Sequence, residues 1–342
     1  MPSQPHVLIS INRAAEIVDR LRRQVPEAKI TVGPYIEARD QTMPPDLMRG
    51  VDVLLTEQIP ANFDDCPQLR WIQLSSAGYA QVFNLPIIER GIRVTNGKGI
   101  FDVPIAEWNI MMMLTWQRNL TTMLENQRQH RYQALPAFQQ RLQGSIVGLY
   151  GYGGLARETA RLTKAMGLTV WAYTRDGVVR PRDLTYCADG TGDPKGVLPD
   201  RAFGPDQLQD FCAGVDYFII AVPITNTTTD LIGEELLRML KPSAVLLNPA
   251  RARIVQEEAL IRCLREQWIR GAAIDDQYAH PLPPDHPLWS MPNVILTPHI
   301  AGDDADIQFV ERALDIMTQN LRRYIADQPL LNELTEQQIL GH

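Results

Sequence analysis

Residues 145–167 read SIVGLYGYGGLARETARLTKAMG, an apolar strand-like run that passes through a glycine-rich turn into a helical pattern. The turn is Gly151-Tyr152-Gly153-Gly154-Leu155-Ala156, a GxGxxA form of the phosphate-binding fingerprint. Gly151 permits the tight turn, Gly153 lets the backbone approach a pyrophosphate, and Ala156 is small enough for the helix to pack on a sheet. The N–H groups that open the helix, from Gly154 and Leu155, then face the phosphate charge. Glycine-rich turns are common in themselves. The strand before this one and the helix after it supply the context that makes it a dinucleotide site.

The end of the next strand bears on which dinucleotide. An Asp or Glu about twenty residues on usually receives the ribose 2′-hydroxyl of NAD. Here the chain reads Val170-Trp171-Ala172-Tyr173-Thr174-Arg175-Asp176, with Thr174 at the place of the acid and Arg175 next to it. A hydroxyl beside a guanidinium suits a 2′-phosphate, so NADP(H) is favoured. NAD(H) stays possible because Asp176 can swing to a ribose, and the plain alternative is that Arg175 is a solvated loop residue.

Outward from this turn, short β-branched runs alternate with helical patterns in both directions, the mark of parallel α/β sheets. The strands expected before it are His6–Ser10, Lys29–Val32, Val51–Thr56, Trp71–Leu74 and Arg93–Thr95. Those expected from the turn onward are Ser145–Tyr150, Thr169–Tyr173, Val215–Val222, Ala244–Leu247, Ala272–Asp275 and Val294–Leu296. A helix apolar on several faces is expected from Ile105 to about Gln129, and a closing helix from about Ala305 to Ala326. Between Asp176 and Pro205 the pattern stops. This Gly- and Pro-rich stretch, which includes GTGDPKG, has no apolar periodicity, and a loop so long is mobile or functional.

A chain of 342 residues suits two domains. Its net charge of −7 argues against a broad nucleic-acid surface, though not against a small cationic pocket. Cys66, Cys187, Cys212 and Cys263 lie far apart and form no CxxC pair, so neither a metal site nor a disulfide framework is expected. The start, MPSQPHVLIS, has no basic and apolar leader pattern, and no apolar run approaches a membrane span, so a cytoplasmic protein without membrane contacts is expected.

The stretch from Val215 to Gly302 resembles the D-isomer-specific 2-hydroxyacid dehydrogenases, of the glyoxylate/hydroxypyruvate reductase kind, through several motifs in order. Ala221-Val222-Pro223-Ile224-Thr225 is similar to the family's strand-end segment along the cofactor, and Leu247-Asn248-Pro249-Ala250-Arg251-Ala252-Arg253-Ile254-Val255 to its N-x-A-R-G-x-x-V motif. Gly271-Ala272-Ala273-Ile274-Asp275, His286-Pro287-Leu288-Trp289 and Leu296-Thr297-Pro298-His299-Ile300-Ala301-Gly302 complete the set. Ser75-Ser76-Ala77-Gly78 resembles the substrate loop, and Ala106-Glu107 the start of the interdomain helix.

The resemblance implies an NAD(P)H-dependent oxidoreductase that interconverts a small 2-keto acid and its 2-hydroxy acid. It implies two doubly wound parallel-sheet domains, a Rossmann cofactor domain (residues 105–297) inserted in a flavodoxin-like substrate domain (1–104 plus 298–342), and a homodimer built on the helix after Ile105. Arg251 would hold the substrate carboxylate and polarise the carbonyl, a task for which a fork of donors is better than Lys. The N–H groups of Ser76, Ala77 and Gly78 would grip the carboxylate's other edge. His299 would give the proton to the keto oxygen. Val222, Pro223, Thr228, Pro249, Ala250, His299 and Gly302 would line the cofactor, and Asp275 would bind the nicotinamide carboxamide. Taken singly, an Arg after a strand is usually a surface charge, which is the reading for Arg253; the ordered set lifts Arg251 and His299 above it.

The sequence departs from the family where a Glu normally partners the catalytic His. That place is His280. Three readings compete: a working His280–His299 pair, a nearby acid (Asp276, Asp303 or Asp304) in the Glu's role, or a catalytically weakened dinucleotide-binding sensor or partner-binding protein on the same fold.

Overall fold

The computed structural model describes residues 4–134, 139–302 and 307–341. In chain order the elements are β1 (His6–Ser10), α1 (Ala14–Gln24), β2 (Lys29–Val32), α2 (Pro45–Met48), β3 (Val53–Thr56), β4 (Trp71–Leu74) and β5 (Arg93–Thr95). Next come α3 (Asp102–Gln117), α4 (Leu120–Arg128), β6 (Ile146–Tyr150), α5 (Gly154–Ala165), β7 (Thr169–Tyr173), β8 (Arg201–Phe203), α6 (Leu208–Gly214) and β9 (Tyr217–Ile220). The rest are α7 (Glu234–Met239), β10 (Val245–Asn248), α8 (Glu257–Arg265), β11 (Gly271–Ile274), β12 (Val294–Leu296), α9 (Ile307–Ile325) and α10 (Glu336–Ile339).

The chain divides into two units: Met1–Phe101 with Asp183–Ala188 and Asp304–His342, and Asp102–Arg182 with Asp189–Asp303. The first carries a five-stranded parallel sheet in the order β2-β1-β3-β4-β5, the flavodoxin-like winding. Its strands are buried on both faces, under α1 and α9 on one side and a cluster around Phe63, Tyr79 and Ile87 on the other. That double burial explains why β1 (His6–Ser10) and β3 (Val53–Thr56) are nearly continuous apolar runs rather than alternating ones.

The second unit carries seven parallel strands in the order β12-β11-β10-β9-β6-β7-β8, a Rossmann winding extended by one strand. The strand order reverses between β6 and β9, and the glycine turn leaves the end of β6 at that reversal. Gly148 within β6 is fixed by packing, since a Cβ there would stand 2.4 Å from Val215 Cγ1. The two faces of this sheet bury separate clusters, one under α6, α7 and α8, the other against α3 and α5.

Three features differ from the sequence expectation. The helix expected over Ile105–Gln129 is two helices, broken where Asn119 turns left-handed (φ 51°), a conformation Asn tolerates. Within the Gly/Pro-rich insert, Arg201–Phe203 forms β8, paired in parallel with Trp171–Tyr173. Three residues are too few for a periodicity signal, and the Arg201 guanidinium over the rings of Trp171 and Phe203 helps to hold them. Finally, residues 298–302, assigned with the C-terminal segment from the sequence, pack with the second unit, because Asp275 binds that turn. Among the described residues no helix is long and apolar enough to cross a membrane.

Candidate active site

Gly151 adopts φ +96°, and its N–H donates to the Tyr173 carbonyl at 2.9 Å. A Cβ there would be 2.7 Å from Val222 Cγ1 and 2.8 Å from the Ala221 oxygen, so both conformation and space require glycine. Gly153 precedes α5, and a Cβ on it would meet nothing nearer than the Ala221 oxygen and Arg182 Nη1, each at 4.0 Å. The backbone is therefore open to a close approach at that point. Gly154 is different: a Cβ would fall 2.0 Å from Asp102 Oδ2, which places that carboxylate against the start of α5. Leu155 is half-buried on the first turn.

Two further observations fit this turn to a dinucleotide. The cradle over Gly153 is one that a side chain would otherwise fill. Beside it, Arg182 Nη1 is buried without a hydrogen-bond partner among the described residues. At the far end of β7, Thr174 Oγ1 donates to the Val178 carbonyl at 3.3 Å, while Arg175 is exposed. Asp176 is taken: it pairs with Arg180 at 2.6 Å and accepts from the Val178 N–H at 3.2 Å. Both contacts hold its carboxyl below the usual range. The Asp176 carboxylate is thereby engaged, whereas Arg175 shows no such pairing among the described residues.

Along the other strand ends, Val222 is half-buried and Pro223 exposed. Thr228 closes a turn, its Oγ1 donating to the Pro223 carbonyl and accepting from the Thr225 N–H, both at 2.7 Å. After β10, Pro249 is buried and Ala250 half-buried. Asn248 shapes this loop by accepting from the Ala250 N–H (3.1 Å) and donating to the Arg251 carbonyl (2.8 Å). Arg251 is half-buried and spends one nitrogen on the Ala250 carbonyl at 2.6 Å. Arg253 is exposed, as the sequence suggested.

The acid–base cluster is organised by two adjacent aspartates. Asp275 is 1% exposed and spends both oxygens on the turn that carries His299. Oδ1 accepts from Thr297 Oγ1 (2.5 Å) and the Ile300 N–H (3.0 Å), and Oδ2 from the Ala301 N–H (2.9 Å). Its carbonyl accepts the His299 N–H at 2.7 Å. Asp275 thus ties the end of β11 to the turn that carries His299. His299 itself sits at φ 59°, a strained conformation for a non-glycine residue that the surrounding bonds must sustain. Gly302, next along, is half-buried.

Asp276 takes the place expected of a partner to His299. Its Oδ1 lies 3.1 Å from His299 Nδ1 and 2.9 Å from His280 Nε2, and its Oδ2 accepts the Ala252 N–H at 2.9 Å. The rings of His280 and His299 are 6.0 Å apart, so the carboxylate, not the other imidazole, is the near neighbour of each. Asp303 and Asp304, the other acids considered, lie outside the described residues. Burial pushes the Asp276 carboxyl up, but the His299 hydrogen bond, the Ala252 N–H and the charges of His299 and Arg251 outweigh it and hold the group at about 2. With a side chain 6% exposed beside imidazoles 43% and 59% exposed, the anion is covered and the histidines face outward. Sequence spacing alone gave no reason to prefer Asp276 over its competitors.

In the first unit, the 76–78 loop follows β4. Ser76 Oγ donates to the Gly78 carbonyl and accepts from Gln81, both at 2.9 Å. The carbonyls of Ser76 and Ala77 accept from the Gly97 N–H and the Asn96 side chain at 2.8 Å. With its carbonyls thus engaged, the loop leaves the N–H groups of Ser76, Ala77 and Gly78 without partners among the described residues. Such a row of donors suits a carboxylate.

Comparison with known proteins identifies the family. The profile of the D-isomer specific 2-hydroxyacid dehydrogenase NAD binding domain matches residues 110–301. A glyoxylate reductase of Thermofilum pendens is 32% identical over 273 residues, 78% of this chain and 76% of that protein. A D-isomer specific 2-hydroxyacid dehydrogenase family protein from Aeromonas salmonicida superposes with a TM-score of 0.78 at 26% identity, covering 97% of this chain and 99% of that one. The D-isomer specific 2-hydroxyacid dehydrogenase of Xanthobacter autotrophicus, solved with NADPH and MES, gives 0.78 at 25% identity over 98% and 99% of the two chains. With this profile over more than half its length, a relative along 78% of it and similar folds along 97–98%, the chain belongs to the D-isomer specific 2-hydroxyacid dehydrogenase family, as an NAD(P)-dependent 2-hydroxyacid dehydrogenase.

Proposed function

We propose that the chain is an NADPH-dependent reductase of small 2-keto acids of the glyoxylate or hydroxypyruvate kind. The observation that carries this reading is the covered Asp276 carboxylate bonded to His299 Nδ1 and influenced by the Arg251 charge. An imidazole held at Nδ1 by an anion presents its other nitrogen to a substrate and keeps its proton there until the keto oxygen needs it. A reduced nicotinamide, when bound, supplies the hydride. The chain's own part is to fix the carboxylate with Arg251 and the N–H groups of Ser76–Gly78, and to neutralise the developing alkoxide with the His299 proton. Asp275 is a positioning residue for His299, and His280 a second hydrogen-bond partner of Asp276. NADPH is preferred over NADH because Arg175 is exposed while Asp176 is engaged by Arg180. In this reading the first unit serves the substrate and the second the cofactor.

Steady-state NADPH oxidation with glyoxylate, hydroxypyruvate, pyruvate and phenylpyruvate tests the proposal. Turnover is expected with glyoxylate and hydroxypyruvate and with NADPH in preference to NADH. No turnover across the panel, with dinucleotide binding intact, would instead support a nucleotide-responsive binding protein.

A homodimer is part of the same reading. Met111, Leu114, Leu120, Met123 and Leu124, all on α3 and α4, are exposed. An apolar face of that kind is costly in water and favours a second copy. Light scattering is expected to give twice the chain mass, and Leu124→Glu to shift it towards one; a monomeric parent protein would refute the assignment.

A further inference from the structure

The Gly/Pro-rich insert is built against the dinucleotide turn rather than hanging from it. Arg157, on the first turns of α5, donates to the Tyr152, Arg180 and Asp193 carbonyls, and its guanidinium lies over the Tyr152 ring at 4.8 Å. Tyr152 Oη donates to Asp193 Oδ2 at 2.8 Å. Asp193 in turn accepts the N–H groups of Val197 and Leu198, each at 3.0 Å. The Glu158 carboxylate, 1% exposed, accepts the Gly192 N–H. One residue of the GxGxxA turn, Tyr152, and two of its helix, Arg157 and Glu158, thus grip both arms of the insert.

The backbone so held delivers one side chain. Arg182, whose N–H donates to the Pro194 carbonyl at 3.0 Å, sends Nη1 to within 4.0 Å of where a Gly153 Cβ would stand. That nitrogen is buried and has no hydrogen-bond partner among the described residues. Burial lowers the Arg182 pKa from its ordinary value, with only the Asp102 charge opposing. A guanidinium nitrogen taken out of water without an acceptor costs free energy, and such groups are rare unless a ligand completes them.

We propose that Arg182 is a pyrophosphate ligand: its Nη1 donates to a phosphate oxygen of the dinucleotide seated over Gly153, so the insert forms one wall of the cofactor site. This rests on the nucleotide-binding part of the function proposed above and not on the keto-acid chemistry. The position also separates two phosphate recognitions on one unit. Arg182 would meet the phosphates shared by NADH and NADPH, and Arg175, at the end of β7, only the 2′-phosphate of NADPH.

Direct titration of the purified protein with NADPH, NADH and ADP-ribose tests this without turnover. Arg182→Met is expected to weaken all three by a common factor of roughly tenfold to a hundredfold, the size of a lost charge-assisted hydrogen bond. Arg182→Lys should recover part of the loss, and Arg175→Ala should weaken NADPH alone. The apo thermal midpoint of Arg182→Met should be unchanged or raised, since an unpaired buried charge has been removed. Unchanged affinity overturns the inference. So does a loss confined to NADPH, or a loss that accompanies a lowered apo midpoint, which would mark a structural arginine. A parent protein that binds none of the three ligands would instead overturn the nucleotide reading itself.

Discussion

Asp276→Asn is expected to lower kcat for keto-acid reduction by roughly 10²–10⁴, the usual range for a disabled general acid. The substitution keeps size and burial but removes the anion that lies 3.1 Å from His299 Nδ1. An amide at that place can turn either its oxygen or its NH2 towards the ring, so the tautomer of His299 is no longer fixed. Because the acid acts only as charge develops on the keto oxygen, the loss should fall on kcat, with the dissociation constant for NADPH nearly unchanged. His299→Asn, which suits the left-handed conformation at φ 59°, should match it in size. A double variant no worse than either single would show that the two act as one unit.

The same carboxylate gives stability a pH dependence. The Asp276 carboxyl is held at about 2 in the folded protein, so its stabilisation is complete above the usual carboxylate range and is lost as pH falls towards 2.

The cofactor turn was legible because its signals are local. Strand, glycines and helix follow one another within residues 145–167, and Gly148, Gly151 and Gly154 each stand where a Cβ would come under 3 Å from a neighbouring atom. Most strands were legible for a related reason: a parallel sheet buried on both faces leaves apolar runs of strand length, such as Tyr217–Ile220. What the sequence hid depends on distant approach. Asp276 stands next to Asp275, and only the backbone direction after β11 decides that one anchors the 297–301 turn while the other meets two imidazoles. His280 drew attention by departing from a pattern, and it lies beside the Asp276 carboxylate. Arg182 gave no signal in an aperiodic stretch. Its surroundings, Arg157, Tyr152 and Asp193, assemble it over the turn only once the chain has folded back across some 40 residues.

Arg251 should prove the most sensitive residue to the exchange of one cation for another. Arg251→Ala is expected to reduce kcat/KM by roughly 10²–10³, the cost of truncating one member of a desolvated charge pair. The increase should appear largely in KM, because the carboxylate is gripped in the ground state as well as in the transition state. Arg251→Lys keeps the charge but not the planar fork, and a single ammonium cannot serve a carboxylate edge and the Ala250 carbonyl together. It should therefore recover less than half of the loss on a logarithmic scale. The charge also helps to hold Asp276 ionised, so the alanine variant should lose activity at a higher pH on the acid side than the lysine variant does. Added guanidinium ion is expected to restore part of the alanine variant's rate and to do nothing for Asp276→Asn. Wild-type kcat/KM in Arg251→Lys would remove the fork from the mechanism and leave only a point charge to account for.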